Sequence, residues 1–151
     1  MIELNHTHDV DARSWVDSAN VAGCDFPIQN LPYAVFRRIG SPEPFRGGVA
    51  IGDQVLDLAA LAAGSHADGL ALDAARAAAL PALNDFFALG PSAWQALRHL
   101  VFSLLRSDAP VSTVDDLRKC LVPQTDAEYT VPARIGDYTD FYTSIDHALN
   151  I

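Results

Sequence analysis

Cysteine is scarce in this sequence, and its scarcity argues against a secreted domain held together by disulfides. The 151 residues include two cysteines, Cys24 and Cys120, which lie far apart in the chain. Small secreted domains usually carry more cysteines, so we expect both thiols to be free in a reducing compartment. The first residues lack a basic-then-apolar signal peptide, and no apolar run approaches the roughly 20 residues that span a bilayer. We therefore predict a cytoplasmic protein with no membrane partner.

Basic residues are also few, which argues against a nucleic-acid partner. Ten Lys and Arg stand against 19 Asp and Glu, and the formal net charge is −9. Binding to phosphates would need clustered Lys and Arg. The two basic pairs, Arg37-Arg38 and Arg118-Lys119, are more typical of solvated surface than of a binding patch.

Apolar residues are plentiful, and their pattern predicts strands first and helices afterwards. Half of the residues are hydrophobic and 19% are charged, as in a packed globular protein with room for one core. Residues 33–36 are rich in β-branched and aromatic side chains and predict a strand. Two apolar runs, 48–51 and 54–58, flank Gly52-Asp53, a dipeptide typical of a tight hairpin turn.

The second half of the chain has helical periodicity and helix-start signals. We predict helices over 73–80 and 84–89, and over 91–106 after a proline that suits a first helical position. Thr113-x-x-Asp116 resembles a capping box that would open a further helix ending near Cys120. One face of the 91–106 helix is predicted to be core, and its members are Trp94, Leu97, Val101, Leu104 and Leu105. This order of elements indicates an α+β fold.

The most site-like chemistry lies in a terminal run, which we define as residues 135–151. In an extended conformation Asp140 and Tyr142 would share one face, although aspartate is depleted in strands and costly to bury. Ser144 can cap a helix that would place His147 in its first turn. Two plainer interpretations remain open, namely an amphipathic strand with a turn, and a surface histidine near a helix cap.

The terminal run and several upstream motifs resemble the fumarylacetoacetase family. Residues 137–142 (Asp-Tyr-Thr-Asp-Phe-Tyr), followed by His147-Ala148, are similar to the signature that opens the family's catalytic domain. The motifs that resemble the family's N-terminal domain are 25–33, 48–53, 83–94 and 117–120. The resemblance implies an SH3-like β-barrel with helical additions over 23–132, a divergent leader over 1–22, and the start of a β-rich catalytic domain over 133–151.

The resemblance also implies a function. Family members hydrolyse a carbon–carbon bond of 4-fumarylacetoacetate, a small-molecule substrate, and yield fumarate and acetoacetate at the end of tyrosine and phenylalanine breakdown. In family terms His147 matches the general base, Asp140 a carboxylate ligand of Ca²⁺ (or Mg²⁺), and Tyr142 a substrate-contacting hydroxyl. A homodimer is expected for the complete enzyme.

The family's other metal carboxylates should lie in the domain that follows His147, so the metal is expected only in the complete enzyme. Ca²⁺ takes roughly 6–8 oxygen ligands, which Asp140 alone cannot supply. We therefore expect this chain to be inactive by itself. Two alternatives remain, namely a non-catalytic interaction or regulatory module, and a related hydrolase acting on another keto acid.

Overall fold

A five-stranded antiparallel sheet and six α-helices make up the α+β fold of the computed structural model, which describes residues 4–151. The strands span Tyr33–Arg38 (β1), Arg46–Ile51 (β2), Gln54–Asp57 (β3), Leu121–Pro123 (β4) and Ala127–Thr130 (β5). The helices span Leu58–Ala63 (α1), Gly69–Ala78 (α2), Asn84–Ala88 (α3), Pro91–Leu105 (α4), Val111–Arg118 (α5) and Ile145–Asn150 (α6). The predicted α+β class is confirmed. Residues 1–3 of the predicted leader lie outside the described residues.

The predicted hairpin is confirmed and forms the centre of the sheet. Ile51 of β2 pairs with Gln54 of β3, so Gly52 and Asp53 form the turn between them. The φ angle of Gly52 is 55°, a left-handed conformation that glycine adopts without steric cost. The predicted strand at 33–36 is also confirmed, as the first part of β1.

The sheet is open, but it is strongly curled. Its order is β4-β3-β2-β1-β5, so the two edge strands are neighbours in sequence. They are linked only by Gln124–Asp126, a 3-10 turn. The edges of a flat five-stranded sheet would lie about 19 Å apart, whereas the four residue steps from Pro123 to Ala127 span at most about 14 Å. The sheet must therefore bend until its two edges approach each other.

The sheet does not close into the predicted β-barrel, because no ladder joins β4 to β5 in the sheet described. The linker instead bonds to both corners of the sheet. The Gln124 backbone N–H donates to the Asp53 carbonyl at 2.9 Å, and the Ile39 N–H donates to the Asp126 carbonyl at 2.8 Å. These two hydrogen bonds pair backbone groups of the linker with the corners of the sheet and need no ladder between β4 and β5.

The two faces of the curled sheet carry separate apolar clusters. One face holds a small cluster formed by Phe36, Val55, Val122 and Ala127. The opposite face packs against the helices, where Val35, Val49 and Leu56 join the main core with residues of α1, α2 and α4. The alternation follows from the two-residue period of a strand.

Helix α4 packs into the main core, and its buried residues agree in part with the core face predicted for the 91–106 helix. Leu97, Val101 and Leu105 are each no more than 1% exposed. Trp94 is 39% exposed, so its assignment to the core is wrong. Helix α5 begins at Val111 after Pro110, so the predicted capping box at Thr113 does not open it. Pro110 is the N-cap, and its carbonyl accepts the first helical hydrogen bond from the Val114 N–H at 3.0 Å, so Thr113 lies inside the helix.

The segment before β1 packs against the end of α4. The Ser14 hydroxyl donates to the Leu105 carbonyl at 2.7 Å, and the Trp15 indole N–H donates to the Leu104 carbonyl at 2.9 Å. Val16 and Ala19 are buried in the main core. Within residues 4–151, no helix combines the length and apolar character needed to cross a membrane.

Candidate functional site

The terminal run starts from a fixed point beside α3, where three hydrogen bonds hold the chain after β5. The Leu83 N–H donates to the Pro132 carbonyl at 2.8 Å. The Arg134 N–H donates to Asn84 Oδ1 at 2.8 Å, and Asn84 Nδ2 donates to the Arg134 carbonyl at 3.0 Å. Residues 135–151 then extend from this point as an exposed segment.

Tyr142 and His147 come together at the start of α6. Ser144 caps this helix, and its Oγ accepts a hydrogen bond from the Asp146 N–H at 3.2 Å. The predicted cap and helix start are therefore confirmed. The ring centroids of Tyr142 and His147 are 5.3 Å apart, with the rings tilted by 50°. The structure thus brings together a phenol and an imidazole, and both side chains are exposed.

Asp140 lies on the exposed stretch before α6, outside any strand. The interpretation of this stretch as an amphipathic strand is therefore wrong. Among the described residues, no group of three or more His, Cys, Asp or Glu side chains is placed to hold a metal ion. Because Ca²⁺ takes roughly 6–8 oxygen ligands, the side chains of residues 4–151 do not fit a calcium site on their own.

A second group of reactive side chains lines a cavity of about 300 Å³ between α1 and α5. His66 Nε2 lies 3.3 Å from Asp116 Oδ2, and Lys119 Nζ donates to Asp116 Oδ1 at 2.8 Å. Burial raises the pKa of the neighbouring Cys120 thiol, and the carboxylates of Asp57 and Asp116 raise it further. A raised pKa lowers the thiolate fraction at neutral pH, which disfavours Cys120 as a nucleophile. Cys24 and Cys120 are both free, as predicted.

Sequence reasoning missed an apolar cavity of about 360 Å³ lined by Tyr33, Phe86, Phe87 and Trp94, of which Phe87 and Trp94 are exposed and Phe86 is buried. The Trp94 indole N–H donates to the Phe86 carbonyl at 2.9 Å, which holds the ring at the surface. Burial raises the pKa of the Tyr33 phenol. A signal was present in the sequence, because adjacent residues on a helix point about 100° apart, which favours exposure of one phenylalanine of the Phe86-Phe87 pair.

Comparisons with known proteins match the chain to one family. The family model described as "Fumarylacetoacetase N-terminal" matches residues 29–132. Fumarylacetoacetase of Oryza sativa subsp. japonica is 45% identical over 142 residues, which cover 91% of this chain and 33% of the relative. The human enzyme is 43% identical over 136 residues, and that of Caenorhabditis elegans is 46% identical over 130 residues. Each of these two matches covers 84% of this chain and 30% of the relative.

The chain thus spans about a third of the length of the curated relatives it matches. The family match extends from just before β1 to Pro132, and so contains the whole sheet and helices α1 to α5. The chain belongs to the fumarylacetoacetase family, and its matched part is that family's N-terminal domain.

Proposed function

We propose that this chain is the N-terminal part of a fumarylacetoacetase-type hydrolase, which cleaves 4-fumarylacetoacetate to fumarate and acetoacetate in tyrosine and phenylalanine breakdown. The observation that carries the proposal is the Tyr142–His147 pair, which follows the matched N-terminal domain and joins a residue just before α6 to one in its first turn. The name shared by the curated relatives supplies the reaction class.

In this proposal His147 is the general base. Its imidazole takes a proton from water as the water oxygen bonds to the substrate carbonyl carbon. The carbon–carbon bond then breaks, and its electron pair leaves with the acetoacetate carbon, which is protonated afterwards. The carbonyl carbon, now bonded to the former water oxygen, becomes the new carboxylate of fumarate. The Tyr142 hydroxyl contacts the substrate and orients it against His147.

Asp140 is proposed as one carboxylate ligand of the family's Ca²⁺ or Mg²⁺. The remaining ligands must come from outside the residues described, because these hold no group of three metal-binding side chains. His147 and Tyr142 are both exposed, so nothing in the described chain excludes bulk water from them. We therefore propose that this chain does not turn over substrate by itself.

The proposal extends to domain organisation and assembly. We propose three segments, namely a leader over 1–22, an SH3-like domain over 23–132 and the first part of the catalytic domain over 133–151. The strong curl of the sheet and the short 3-10 link between its edge strands support the SH3-like assignment. A homodimer in the cytoplasm is proposed for the complete enzyme, by resemblance to the family alone.

The test is a His147→Ala substitution in the complete protein that carries this chain, with turnover of 4-fumarylacetoacetate followed by absorbance. Loss of a general base lowers kcat by about 10²–10⁴-fold. His66→Ala is the matched control, because the His66 ring contacts Asp116 of α5. Retained turnover in the His147 variant would remove the base assignment. Absence of turnover in the unsubstituted complete protein would overturn the proposed function.

A further inference from the structure

We infer that Asn84 is a positioning residue, which fixes the start of the terminal run by pairing both backbone groups of Arg134 with its side-chain amide. Asn84 Oδ1 accepts from the Arg134 N–H at 2.8 Å, and Asn84 Nδ2 donates to the Arg134 carbonyl at 3.0 Å. The inference deepens the proposed function and rests on it, because the run that Asn84 fixes carries the proposed general base.

The amide of Asn84 replaces a strand partner at this position. β5 ends at Thr130, so the residues that follow have no ladder to hold them. A carboxamide has one acceptor and two donors, and so can bond to both the N–H and the carbonyl of a single residue. An aspartate would keep only the acceptor, and a leucine or alanine would keep neither. The residue type at position 84 is therefore specific to this two-way contact.

The neighbouring helix gives the contact a rigid base. Asn84 is the first residue of α3, and the Leu83 N–H that precedes it donates to the Pro132 carbonyl at 2.8 Å. Phe86, two residues further on, is 2% exposed and anchors α3 in the main core. The position of Arg134 is thus set by the core itself.

The contact limits where the proposed site residues can lie. Asp140 follows Arg134 by six residues, so its reach from the fixed point is at most about 20 Å. If Asn84 no longer holds Arg134, the nearest fixed residue is Pro132 and the reach increases to about 27 Å. Catalytic groups are sensitive to small displacements, and a misplacement of about 1 Å can cost as much as 100-fold in rate. Loss of the contact should therefore lower kcat more than it changes KM.

The first experiment tests the contact in this chain alone and needs no activity. Backbone amide hydrogen exchange is measured by NMR for the unsubstituted chain, Asn84→Ala, Asn84→Asp and the control Asp85→Asn, which changes the next residue on the same helix. We expect exchange of the Arg134 amide to become at least tenfold faster in Asn84→Ala. In Asn84→Asp and Asp85→Asn it should stay protected, because Oδ1 of residue 84 is retained. Core amides such as Val49 should be unchanged in every variant. An Arg134 amide that is unprotected in the unsubstituted chain, or unaffected by Asn84→Ala, would overturn the inference.

The second experiment measures kcat and KM of the same variants in the complete protein. We expect kcat to fall roughly tenfold in Asn84→Ala with KM changed less than threefold, an intermediate loss in Asn84→Asp, and no change in Asp85→Asn. Faster Arg134 exchange with unchanged kcat would show that the contact exists but positions nothing, and would overturn the inference. A complete protein that lacks turnover before any substitution would refute the proposed function and this role of Asn84 together, whereas the exchange result would still report on the contact.

Discussion

Asp57 joins the sheet to the first helix, and its substitution gives a quantitative test of the fold. Asp57 is the last residue of β3 and the N-cap of α1, and it is 7% exposed. Its Oδ1 accepts hydrogen bonds from the Ala59 and Ala60 N–H groups at 2.9 and 3.1 Å. Its Oδ2 accepts from Arg46 Nε at 2.5 Å, and the Arg46 side chain is 13% exposed. One carboxylate therefore caps a helix and neutralises a partly buried guanidinium.

The cost of Asp57→Ala follows from these two contacts. Loss of an N-cap side chain costs about 1 kcal/mol. Loss of a hydrogen bond to a charged group costs about 1.5–3 kcal/mol. Arg46 keeps its second partner, Glu43, at 3.1 Å, which favours the lower part of that range. We expect a total loss of about 3 kcal/mol in the free energy of unfolding for Asp57→Ala. Asp57→Asn keeps an acceptor for the cap, so its loss should be only about 2 kcal/mol.

Urea and thermal unfolding of the chain, followed by circular dichroism, provide the assay. A loss of about 3 kcal/mol should lower the Tm by about 6–12 °C for a chain of this size. Asp73→Ala is the control, because its 4.0 Å pair with Arg76 is exposed at both ends and should change stability by less than about 0.5 kcal/mol. If Asp57→Asn were as destabilising as Asp57→Ala, the cap would contribute nothing. If both were within about 0.5 kcal/mol of the unsubstituted chain, the reasoning from the buried pair would be refuted.

Two further predictions concern the packing of β2 and the turn that follows it. In Gly47→Ala the new Cβ would overlap the Ala78 carbonyl oxygen of α2. We therefore expect thermal unfolding to show a loss of about 3 kcal/mol in the free energy of unfolding. Gly64→Ala is the control and should be close to neutral, because its Cβ would lie 3.4 Å from the nearest atom. Equal effects of the two glycine substitutions would contradict the close approach of β2 to α2. A hydrogen bond from Ser18 Oγ, at 2.6 Å, and then one from Gln54 hold the pKa of Asp53 below its ordinary value, so Ser18→Ala should raise that pKa, as measured by carboxyl NMR titration. Because the folded-state pKa is lowered, this contact stabilises the fold fully above the unfolded-state pKa, and the stabilisation is lost as the pH falls through the folded-state pKa. An unchanged titration would contradict the contact.

Local signals in the sequence predicted the elements whose geometry is set by neighbouring residues. Gly52 supplies the left-handed conformation that the hairpin turn needs, and the turn lies where the dipeptide indicated. The Ser144 hydroxyl accepts a hydrogen bond from the Asp146 N–H, and α6 begins directly after Ser144, as the serine cap predicted. In both cases the chemistry that decides the structure lies within three residues of the element.

The start of α5, the form of the sheet and the Asn84–Arg134 contact were not predicted correctly or at all, because competing or distant interactions determine them. Helix α5 begins directly after Pro110, two residues upstream of Thr113, so the predicted capping box lies inside the helix. The pairing of β5 with β1, and of β4 with β3, depends on contacts between segments that are far apart in the chain, so the open and curled form of the sheet could not be read from either strand. The Asn84–Arg134 contact is likewise non-local, since its two residues are 50 positions apart. No local pattern marks such an asparagine.

The position of the two edge strands has a consequence for the order in which the fold can form. β1, β2 and β3 are consecutive and can pair early, but both outer edges of that three-stranded unit are covered by residues 121–130. The start of β4 at Leu121 follows the end of β3 at Asp57 by 64 residues, which take roughly 3–13 s to synthesise at typical rates. During that interval both edges of the nascent sheet stay open to pairing with other chains. A polypeptide that stalls before β4 is therefore exposed to aggregation on two sides at once, and the short segment that contains β4 and β5 removes both hazards together.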